Sequence, residues 1–228
     1  MKIATFNIDW GKRHFNQIQR ELNTREFDLL ILTETVPLDL PAYNFIYAST
    51  ALPQGKEYEG MNYSTFATGA NRVAIYSKYP SIRQYNVSDE YTSTCQEFDT
   101  SIGPLTIYAT IIGTWFNKKP FAEKELANCI RDCQEISRHS NSLCLTGDLN
   151  TSFIPGEKLQ INEQTTKQLR DLCSACNLEL TTAGLKNNID HILLPLHLNA
   201  TLNIVPSVFV EKGKLSDHQG VYVKIQHK

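Results

Sequence analysis

Residues 143–150 read Leu-Cys-Leu-Thr-Gly-Asp-Leu-Asn, an apolar run that ends in a polar turn. The run from Leu143 to Leu145 is typical of a strand that is buried on both faces. Gly147 and Asn150 are residues that favour turns, and Asp148 lies between them. This stretch predicts a buried strand that presents a carboxylate and an amide at one edge of a sheet.

Four other segments place polar side chains at the ends of apolar runs in the same way. They are Asn7 in Thr-Phe-Asn-Ile, Glu34 in Leu-Ile-Leu-Thr-Glu, Asp190 in Asn-Ile-Asp-His, and the pair Asp217 and His218 in Leu-Ser-Asp-His-Gln. Taken singly, each is compatible with a solvated strand end or an ordinary turn. Five such segments in one chain indicate a shared site.

Strand patterns outnumber helical patterns along the rest of the chain. Helical spacing of apolar residues occurs around Phe15–Leu22, Leu126–Cys133 and Leu169–Cys176. Strand-like runs cover residues 1–8, 27–32, 43–48, 73–77, 95–99, 105–112, 143–146, 189–194, 202–210 and 220–225, and a polar loop covers 53–69. The strands fall into two comparable halves, which predicts two packed sheets with helices on the outer faces.

Composition limits the alternatives. The 228 residues show no linker or repeat, so we expect a single domain over residues 1–228. The net charge of −2 disfavours a protein that coats DNA, which would carry a basic excess. No signal peptide or membrane-length apolar run is present, which predicts a cytoplasmic protein without membrane contact. The six cysteines continue apolar stripes, so we interpret them as buried thiols in a reducing compartment.

The residue types favour a hard metal ion. Carboxylates and amides, with one strong histidine candidate and no thiolate, are the ligands that Mg²⁺ or Mn²⁺ prefers over Zn²⁺. A phosphodiester needs neutralised oxygens, an oriented water and a proton donor for the leaving group. A carboxylate-bound metal, a carboxylate-oriented histidine and an Asp/Asn pair supply all three.

These segments, in this order from Asn7 to His218, resemble the endonuclease/exonuclease/phosphatase family. Gly-Asp-Leu-Asn and Ser-Asp-His are the most specific motifs, and residues 69–80, Gly-Ala-Asn-Arg-Val-Ala-Ile-Tyr-Ser-Lys-Tyr-Pro, are similar to the family's central strand. The resemblance implies a four-layer α/β/β/α sandwich of two mixed sheets. It also implies that the site lies at one end of the paired sheets and uses Mg²⁺, with Mn²⁺ as the alternative.

The resemblance implies a role for each site residue. Glu34 would be the main metal ligand, with Asn7 and Asp217 close by, directly or through water. Asp148 and Asn150 would activate the water and contact the phosphate. His218 would act on the phosphate or as acid and base, with Asp190 accepting its other ring proton. We leave the general base open between His218 and Asp148. His191 follows Asp190 on a strand and should face the other side, so we interpret it as structural.

The chain departs from the family pattern at the strand 105–112. Many relatives carry His or Tyr at its end to grip the phosphate, and Thr110 is expected to hold that position here. The loop that follows, residues 113–120, reads Gly-Thr-Trp-Phe-Asn-Lys-Lys-Pro. Trp115 and Lys118 in this loop suit stacking on a base and contact with a nucleic-acid backbone, and packing of the loop explains them equally well.

The leading hypothesis is a metal-dependent nuclease that acts as a monomer on nucleic acid. A phosphatase or phosphodiesterase of a small metabolite or lipid head group is the second hypothesis, because the charge is nearly neutral and the chain is compact. A weakened, non-catalytic binding module is the third. Thr110 motivates it, and Glu34, Asp148, Asn150 and His218 argue against it.

Overall fold

The computed structural model describes residues 1–12, 14–53, 57, 58, 61, 62, 67–114, 121–157, 159–162 and 164–228. Within them, fourteen strands and three α-helices follow one another. The strands are β1 (Lys2–Asn7), β2 (Leu29–Thr35), β3 (Phe45–Ala48), β4 (Glu57–Tyr58), β5 (Met61–Asn62), β6 (Asn71–Ser77), β7 (Ser81–Tyr85), β8 (Ser93–Thr100), β9 (Gly103–Ile111), β10 (Leu143–Asp148), β11 (Leu178–Leu180), β12 (Asp190–Pro195), β13 (Leu202–Val210) and β14 (Gly220–His227). The helices are α1 (Phe15–Asn23), α2 (Phe121–Ser137) and α3 (Thr165–Ala175).

Two six-stranded sheets carry the fold. Sheet 1 has the order β13-β14-β1-β2-β6-β3, and sheet 2 has the order β11-β12-β10-β9-β8-β7. Each sheet is mixed and contains one parallel pair, β1 with β2 and β9 with β10. The chain crosses between the paired strands through α1 in the first case and α2 in the second, as parallel neighbours require.

Strand alternation distributes the buried apolar side chains of the described residues mainly among three cores. Ile3, Ile31 and Val73 of sheet 1 meet Ile107 and Ile192 of sheet 2 between the sheets. The outer face of sheet 1 packs on α1, and the outer face of sheet 2 packs on α2 and α3. This is the expected α/β/β/α sandwich. Each fully buried Leu or Ile in these cores contributes about 1.5–3 kcal/mol to the free energy of unfolding.

The helices fold against the sheets through narrow apolar stripes. Ile18 and Leu22 are the buried residues of α1, and they are one helical turn apart. Leu126, Cys129 and Cys133 form the corresponding stripe of α2. All six cysteines are buried and none is in a disulfide, which agrees with their interpretation as packed thiols.

Some elements differ from the expected pattern. β7 was not predicted, because it is an edge strand whose central residues, Ile82, Arg83 and Gln84, are exposed and leave no buried period. The loop expected over residues 53–69 contains the short pair β4 and β5. Among the described residues, no helix has the length and apolar character needed to cross a membrane.

Candidate active site

Topology brings the predicted polar residues to one edge of the sandwich. Asn7 and Glu34 lie at the carboxyl ends of the parallel strands β1 and β2, and Asp148 ends β10. Asp190 begins β12, which runs antiparallel to β10, and it pairs directly with Asp148. His218 lies two residues before the start of β14, which is antiparallel to β1. Side chains from both sheets therefore meet at the same end.

Asp148 is the centre of this group. It is 1% exposed, and its Oδ2 accepts hydrogen bonds from the side-chain amides of Asn7 (2.9 Å) and Asn150 (3.1 Å). The backbone N–H of Asn150 donates to its Oδ1 at 2.9 Å. The Asn7 contact joins residues of the two sheets across the interface. Asp148 is thus fixed in one orientation by three donors.

The Gly-Asp-Leu-Asn turn has positive φ angles at Gly147 and Asn150, residue types that tolerate them. Asn150 has a left-handed backbone (φ 46°), which Asn tolerates better than most residues. Its side-chain amide also donates to the carbonyl of Ile112 at 2.9 Å, so both of its N–H groups orient neighbours. At Gly147 (φ 130°), a Cβ atom would lie 1.9 Å from the carbonyl oxygen of Thr110. Only glycine lets β9 approach β10 this closely beside the site.

His218 and Asp190 form a hydrogen-bonded pair. The distance from His218 Nδ1 to Asp190 Oδ2 is 2.7 Å, and Asp148 Oδ2 lies 4.0 Å from the same nitrogen. The Asp190 side chain is fully buried, and that of His218 is 11% exposed. With Nδ1–H held by Asp190, Nε2 of His218 remains for a substrate.

Burial and neighbouring charges determine which of these groups carry a proton at neutral pH. Burial opposes a charge on His218, but the charges of Asp190 and Asp148 and the hydrogen bond to Asp190 outweigh it and raise the pKa of His218 to about 10. Burial raises the pKa of Asp148 to about 7 against the opposing effect of His218. Burial likewise raises the pKa of Asp190. The imidazole is therefore held as a cation at neutral pH, beside carboxyl groups of reduced acidity.

Glu34 reaches the site through an irregular backbone. Its φ of 46° is left-handed, which costs a non-glycine residue roughly 1–3 kcal/mol and breaks the alternation of β2. Burial raises the pKa of its carboxyl group, whereas the charges of Arg72 and His218 lower it. No hydrogen-bond donor among the described residues contacts this carboxylate. A strained, partly buried carboxylate without a donor suits a cation ligand.

Asp217 lies at the rim beside this group. It is exposed, and its Oδ1 accepts a hydrogen bond from the Ser216 hydroxyl at 3.3 Å. Together with Ile8, Asp9 and Lys12 it borders a cavity of about 200 Å³. Its charge helps to raise the pKa of His218, so it lies within electrostatic reach of the imidazole.

Asp148, Asp190 and His218 offer ligand atoms that all lie within 4.8 Å of one another. Oxygen-rich donors of this kind fit a hard divalent cation. The 2.7 Å contact between His218 and Asp190 is, however, a hydrogen bond that a metal on Nδ1 would break. We therefore regard Glu34, with Asn7 and Asp217, as the better set for a cation, and the Asp190–His218 pair as acid–base machinery.

Thr110, which we expected to contact the phosphate, is a buried residue of β9. Its hydroxyl is 2.8 Å from that of Ser93, and its side chain is 1% exposed. Tyr108 of β9 and Ile112, which follows the strand, belong to the core beneath α2, whereas Ile111 faces the core between the sheets. Ile111, the residue after Thr110, pairs with Asp148. Thr110 and Ile111 therefore face opposite sides of β9, and the contact of Thr110 with a phosphate stays a prediction.

Two of the expected substrate contacts, Trp115 and Lys118, fall outside the described residues. The segment that leads to them begins at Gly113 and Thr114, whose backbone N–H groups donate to Glu125 Oε2 at 2.6 and 3.1 Å. Glu125 is a buried residue of α2 that the sequence reasoning did not assign.

Arg72 is the second charged residue that was missed. It is 3% exposed and lies on β6 between Val73, which pairs with Thr33, and Asn71, which pairs with Thr35. It is therefore opposite Glu34. The available signal was a lone cation at the start of the otherwise apolar run Arg-Val-Ala-Ile-Tyr.

Comparisons with known proteins agree with this architecture. The structure matches a 3′ phosphatase from Neisseria bound to its product DNA hairpin, at 16% identity over 99% of each chain and a TM-score of 0.71. It matches the endonuclease domain of TRAS1, a telomere-specific non-LTR retrotransposon, at 16% identity over 99% of this chain and 98% of the other, with a TM-score of 0.68. An AP endonuclease from Archaeoglobus fulgidus gives 13% identity over 99% of each chain and a TM-score of 0.69.

At these identities the structural matches establish the fold alone. A search of curated protein sequences finds no match. The sequence model of the Endonuclease/Exonuclease/phosphatase family matches residues 4–218, which contain every candidate residue from Asn7 to His218. The chain therefore belongs to the endonuclease/exonuclease/phosphatase family.

Proposed function

We propose that this protein is a nuclease that hydrolyses a phosphodiester bond of a nucleic acid with the help of Mg²⁺, Mn²⁺ being the alternative. The observation that carries the proposal is the meeting of Asn7, Asp148 and the Asp190–His218 pair at one edge of the two sheets. We further propose that residues 1–228 act as one catalytic domain and as a monomer. The expected cytoplasmic location stays a prediction.

The cation would be held by Glu34, with Asn7 and Asp217 nearby. When bound, it would supply positive charge to the phosphate oxygens. The side-chain oxygen Oδ1 of Asn7 already accepts a hydrogen bond from the backbone N–H of Asp9 at 2.9 Å, and its second lone pair is left for a ligand.

Acid–base roles follow from the protonation of the two partners. His218 is a cation at neutral pH and is suited to stabilise phosphate charge or to donate a proton through Nε2. Asp148 has a pKa of about 7, which suits a group that orients a water and accepts its proton. Asn150 keeps Asp148 in place, and Asp190 keeps the His218 ring oriented.

Nucleic acid is favoured as substrate by the relatives with the same fold. They include a 3′ phosphatase solved with a DNA hairpin and an AP endonuclease. The competing substrate is a small phosphorylated metabolite or lipid head group, and the net charge of −2 favours it.

The test compares plasmid DNA, RNA and a chromogenic phosphodiester, each with Mg²⁺ and with EDTA. Nucleic-acid cleavage that EDTA abolishes is the expected result. The variants Glu34→Gln and His218→Ala should each lower kcat/KM on the cleaved nucleic acid by about three orders of magnitude or more.

Matched controls are available on the surface at the C-terminal end of α2 and in the turn after it. Glu135→Gln and His139→Ala change the same residue types at exposed positions that contact each other, and both should keep the original rate. Unchanged rates in Glu34→Gln and His218→Ala would remove the site assignment. Turnover of the chromogenic diester alone, with DNA and RNA intact, would favour the small substrate.

A further inference from the structure

A buried carboxylate binds the segment that follows β9. Glu125 lies near the start of α2 and is 6% exposed. Its Oε2 accepts the backbone N–H groups of Gly113 at 2.6 Å and Thr114 at 3.1 Å, and its Oε1 accepts the Thr114 hydroxyl. A buried glutamate is rare, because its charge is costly away from water unless donors surround it. Here Gly113 and Thr114 supply three donors.

The peptide group between Ile112 and Gly113 is bound at both of its edges. Its N–H donates to Glu125 Oε2 at 2.6 Å, and its carbonyl oxygen accepts from Asn150 Nδ2 at 2.9 Å. A peptide group is planar and almost always trans, so its N–H and C=O point in opposite directions and move together. Glu125 and Asn150 therefore bind opposite edges of one rigid plane, and each restricts the position of the other.

The same nitrogen of Asn150 continues the contact to Asp148. Asn150 Nδ2 lies 3.1 Å from Asp148 Oδ2, and the backbone N–H of Ile112 donates to the carbonyl of Asp148 at 2.9 Å. A continuous chain of hydrogen bonds thus runs from Glu125 through the peptide and the Asn150 amide to the Asp148 carboxylate. The bonds of such a chain strengthen one another, because each bond polarises the next.

The backbone of Gly113 is adapted to this arrangement. Its φ of 78° is left-handed, and a Cβ atom there would lie 2.9 Å from Ile161 Cδ1 and 3.5 Å from Asn150 Cβ. Glycine therefore lets the peptide lie directly beside Asn150. The bonds of Glu125 to Thr114 hold the segment against α2. The bond to Gly113 acts on the one peptide that also binds Asn150.

We propose that Glu125 is a positioning residue of the proposed nuclease. Through the Ile112–Gly113 peptide it holds the Asn150 side chain, and thereby the Asp148 carboxylate, in the orientation that the chemical step requires. This inference rests on the proposed function and deepens it. In this role Glu125 acts through Asn150 and takes no part in the chemical step itself.

A double-mutant cycle between Glu125 and Asn150 tests the coupling. Glu125→Gln keeps the size of the side chain but presents an amide to the donors of Gly113 and Thr114. Asn150→Ala removes the side chain through which Glu125 acts. The changes are made singly and together, and kcat and KM are measured on the phosphoester that the protein cleaves. A second cycle uses Glu125→Asp, which keeps the charge but shortens the reach, so that one cycle remains if either variant does not fold.

We expect Glu125→Gln to lower kcat by about ten-fold with KM unchanged within about two-fold, and Asn150→Ala to lower kcat by about a hundred-fold. The double variant should match Asn150→Ala within about two-fold, because Glu125 then has no side chain to act through. Effects that multiply to about a thousand-fold would overturn the inference. An unchanged kcat in Glu125→Gln, or a loss confined to KM, would overturn it as well, because Glu125 would then only pack the segment.

Two controls separate this role from packing and from stability. Thr114→Val removes one bond to Glu125 but leaves that of Gly113, so kcat should stay within about two-fold. Asp28→Asn changes a carboxylate that accepts the backbone N–H of Lys2 at 2.7 Å, just before β2 and at the opposite end of sheet 1 from the site. It should lower the free energy of unfolding in urea and leave kcat unchanged. A loss of kcat in either control that equals the loss in Glu125→Gln would contradict the inference.

NMR of the metal-free protein distinguishes failure of this inference from failure of the proposed function. The side-chain amide signals of Asn150 should shift in Glu125→Gln and stay in place in Asp28→Asn. A protein that cleaves nucleic acid but whose Asn150 signals do not move in Glu125→Gln contradicts only the inference. A protein that cleaves the chromogenic diester and no nucleic acid contradicts the nuclease proposal, and the cycle measured on that diester then decides the role of Glu125. A protein that cleaves neither contradicts both.

Discussion

His218 and His191 are both largely buried, yet their pKa values shift in opposite directions. Asp190 and Asp148 raise the pKa of His218 to about 10 against the effect of burial. His191 is next to Asp190 in sequence but faces the other side of β12, where burial lowers its pKa to about 4. Asp190 and His191, which are adjacent on β12, thus lie in two environments with opposite effects on the charge of a histidine.

The difference lies in the hydrogen-bond partners. His191 Nε2 donates to the carbonyl of Thr151 at 2.8 Å, and its Nδ1 accepts from the Thr182 hydroxyl at 3.0 Å. The edge of its ring packs against Phe153. Neutral partners satisfy a neutral ring, whereas carboxylates keep a buried ring charged. The comparison teaches that burial alone makes a histidine structural and that the carboxylates beside His218 make it a candidate for catalysis.

Among changes to the partners of the two histidines, removing the charge of Asp190 should have the largest effect. Asp190→Asn keeps the size of the side chain but takes away the carboxylate that holds His218 Nδ1–H. We expect kcat on the cleaved substrate to fall by about a hundred-fold or more. In the metal-free protein, the pKa of His218 measured by NMR should move down toward its ordinary value. A variant with unchanged kcat and unchanged His218 titration would show that the pair is not functional.

The environment of His191 should make the free energy of unfolding sensitive to acid. The pKa of His191 is about 4 in the folded state and about 6.5 in the unfolded chain, so the unfolded state binds more protons below pH 6.5. Stability from the neutral ring is therefore present above pH 6.5 and lost as the pH falls toward 4. Between pH 7 and pH 5, protonation of His191 in the unfolded chain should lower the free energy of unfolding by roughly 2 kcal/mol.

Urea denaturation at both pH values measures this loss. The variant His191→Gln cannot titrate, so its free energy of unfolding should fall less over the same interval. Equal losses in the two proteins would mean that other groups cause the acid sensitivity.

The smallest effect is expected at Thr182. Its hydroxyl donates a hydrogen bond to Nδ1 of His191 and accepts one from the backbone N–H of Ile192 at 3.1 Å. Thr182→Val should lower the free energy of unfolding by about 1 kcal/mol, because it removes a hydroxyl that bonds two buried groups, with kcat unchanged within about two-fold. Thr5→Val is the matched control, since the buried Thr5 hydroxyl has no partner among the described residues. It should be neutral or stabilising, and a similar loss in both variants would contradict the role of the Thr182 bonds.

The sequence predicts the sandwich and the edge where its polar residues meet, because strand ends carry Asn7, Glu34, Asp148 and His218 in a recognisable order. It does not predict which face of β9 carries the Thr110 side chain. The run Tyr-Ala-Thr-Ile-Ile at 108–112 is almost wholly apolar, so no alternation distinguishes the face of Thr110 from that of Ile111.

Two further features depend on the folded structure. Glu34 and the consecutive residues Asp9, Trp10 and Gly11 have a left-handed backbone, which local preference disfavours at the non-glycine positions, so the sequence does not predict it. The same is true of the pKa of His191, which depends on partners 9 and 40 residues away in sequence.

Because β1 pairs with β14, the candidate site cannot be assembled during translation before β14 has been made. Asn7 leaves the ribosome first among the candidate residues, and His218 leaves last, roughly 10–40 s later at about 5–20 residues per second. Sheet 1 cannot be completed before its C-terminal strands are made. A nascent chain that has not yet reached β14 therefore carries most of the candidate residues but no assembled centre.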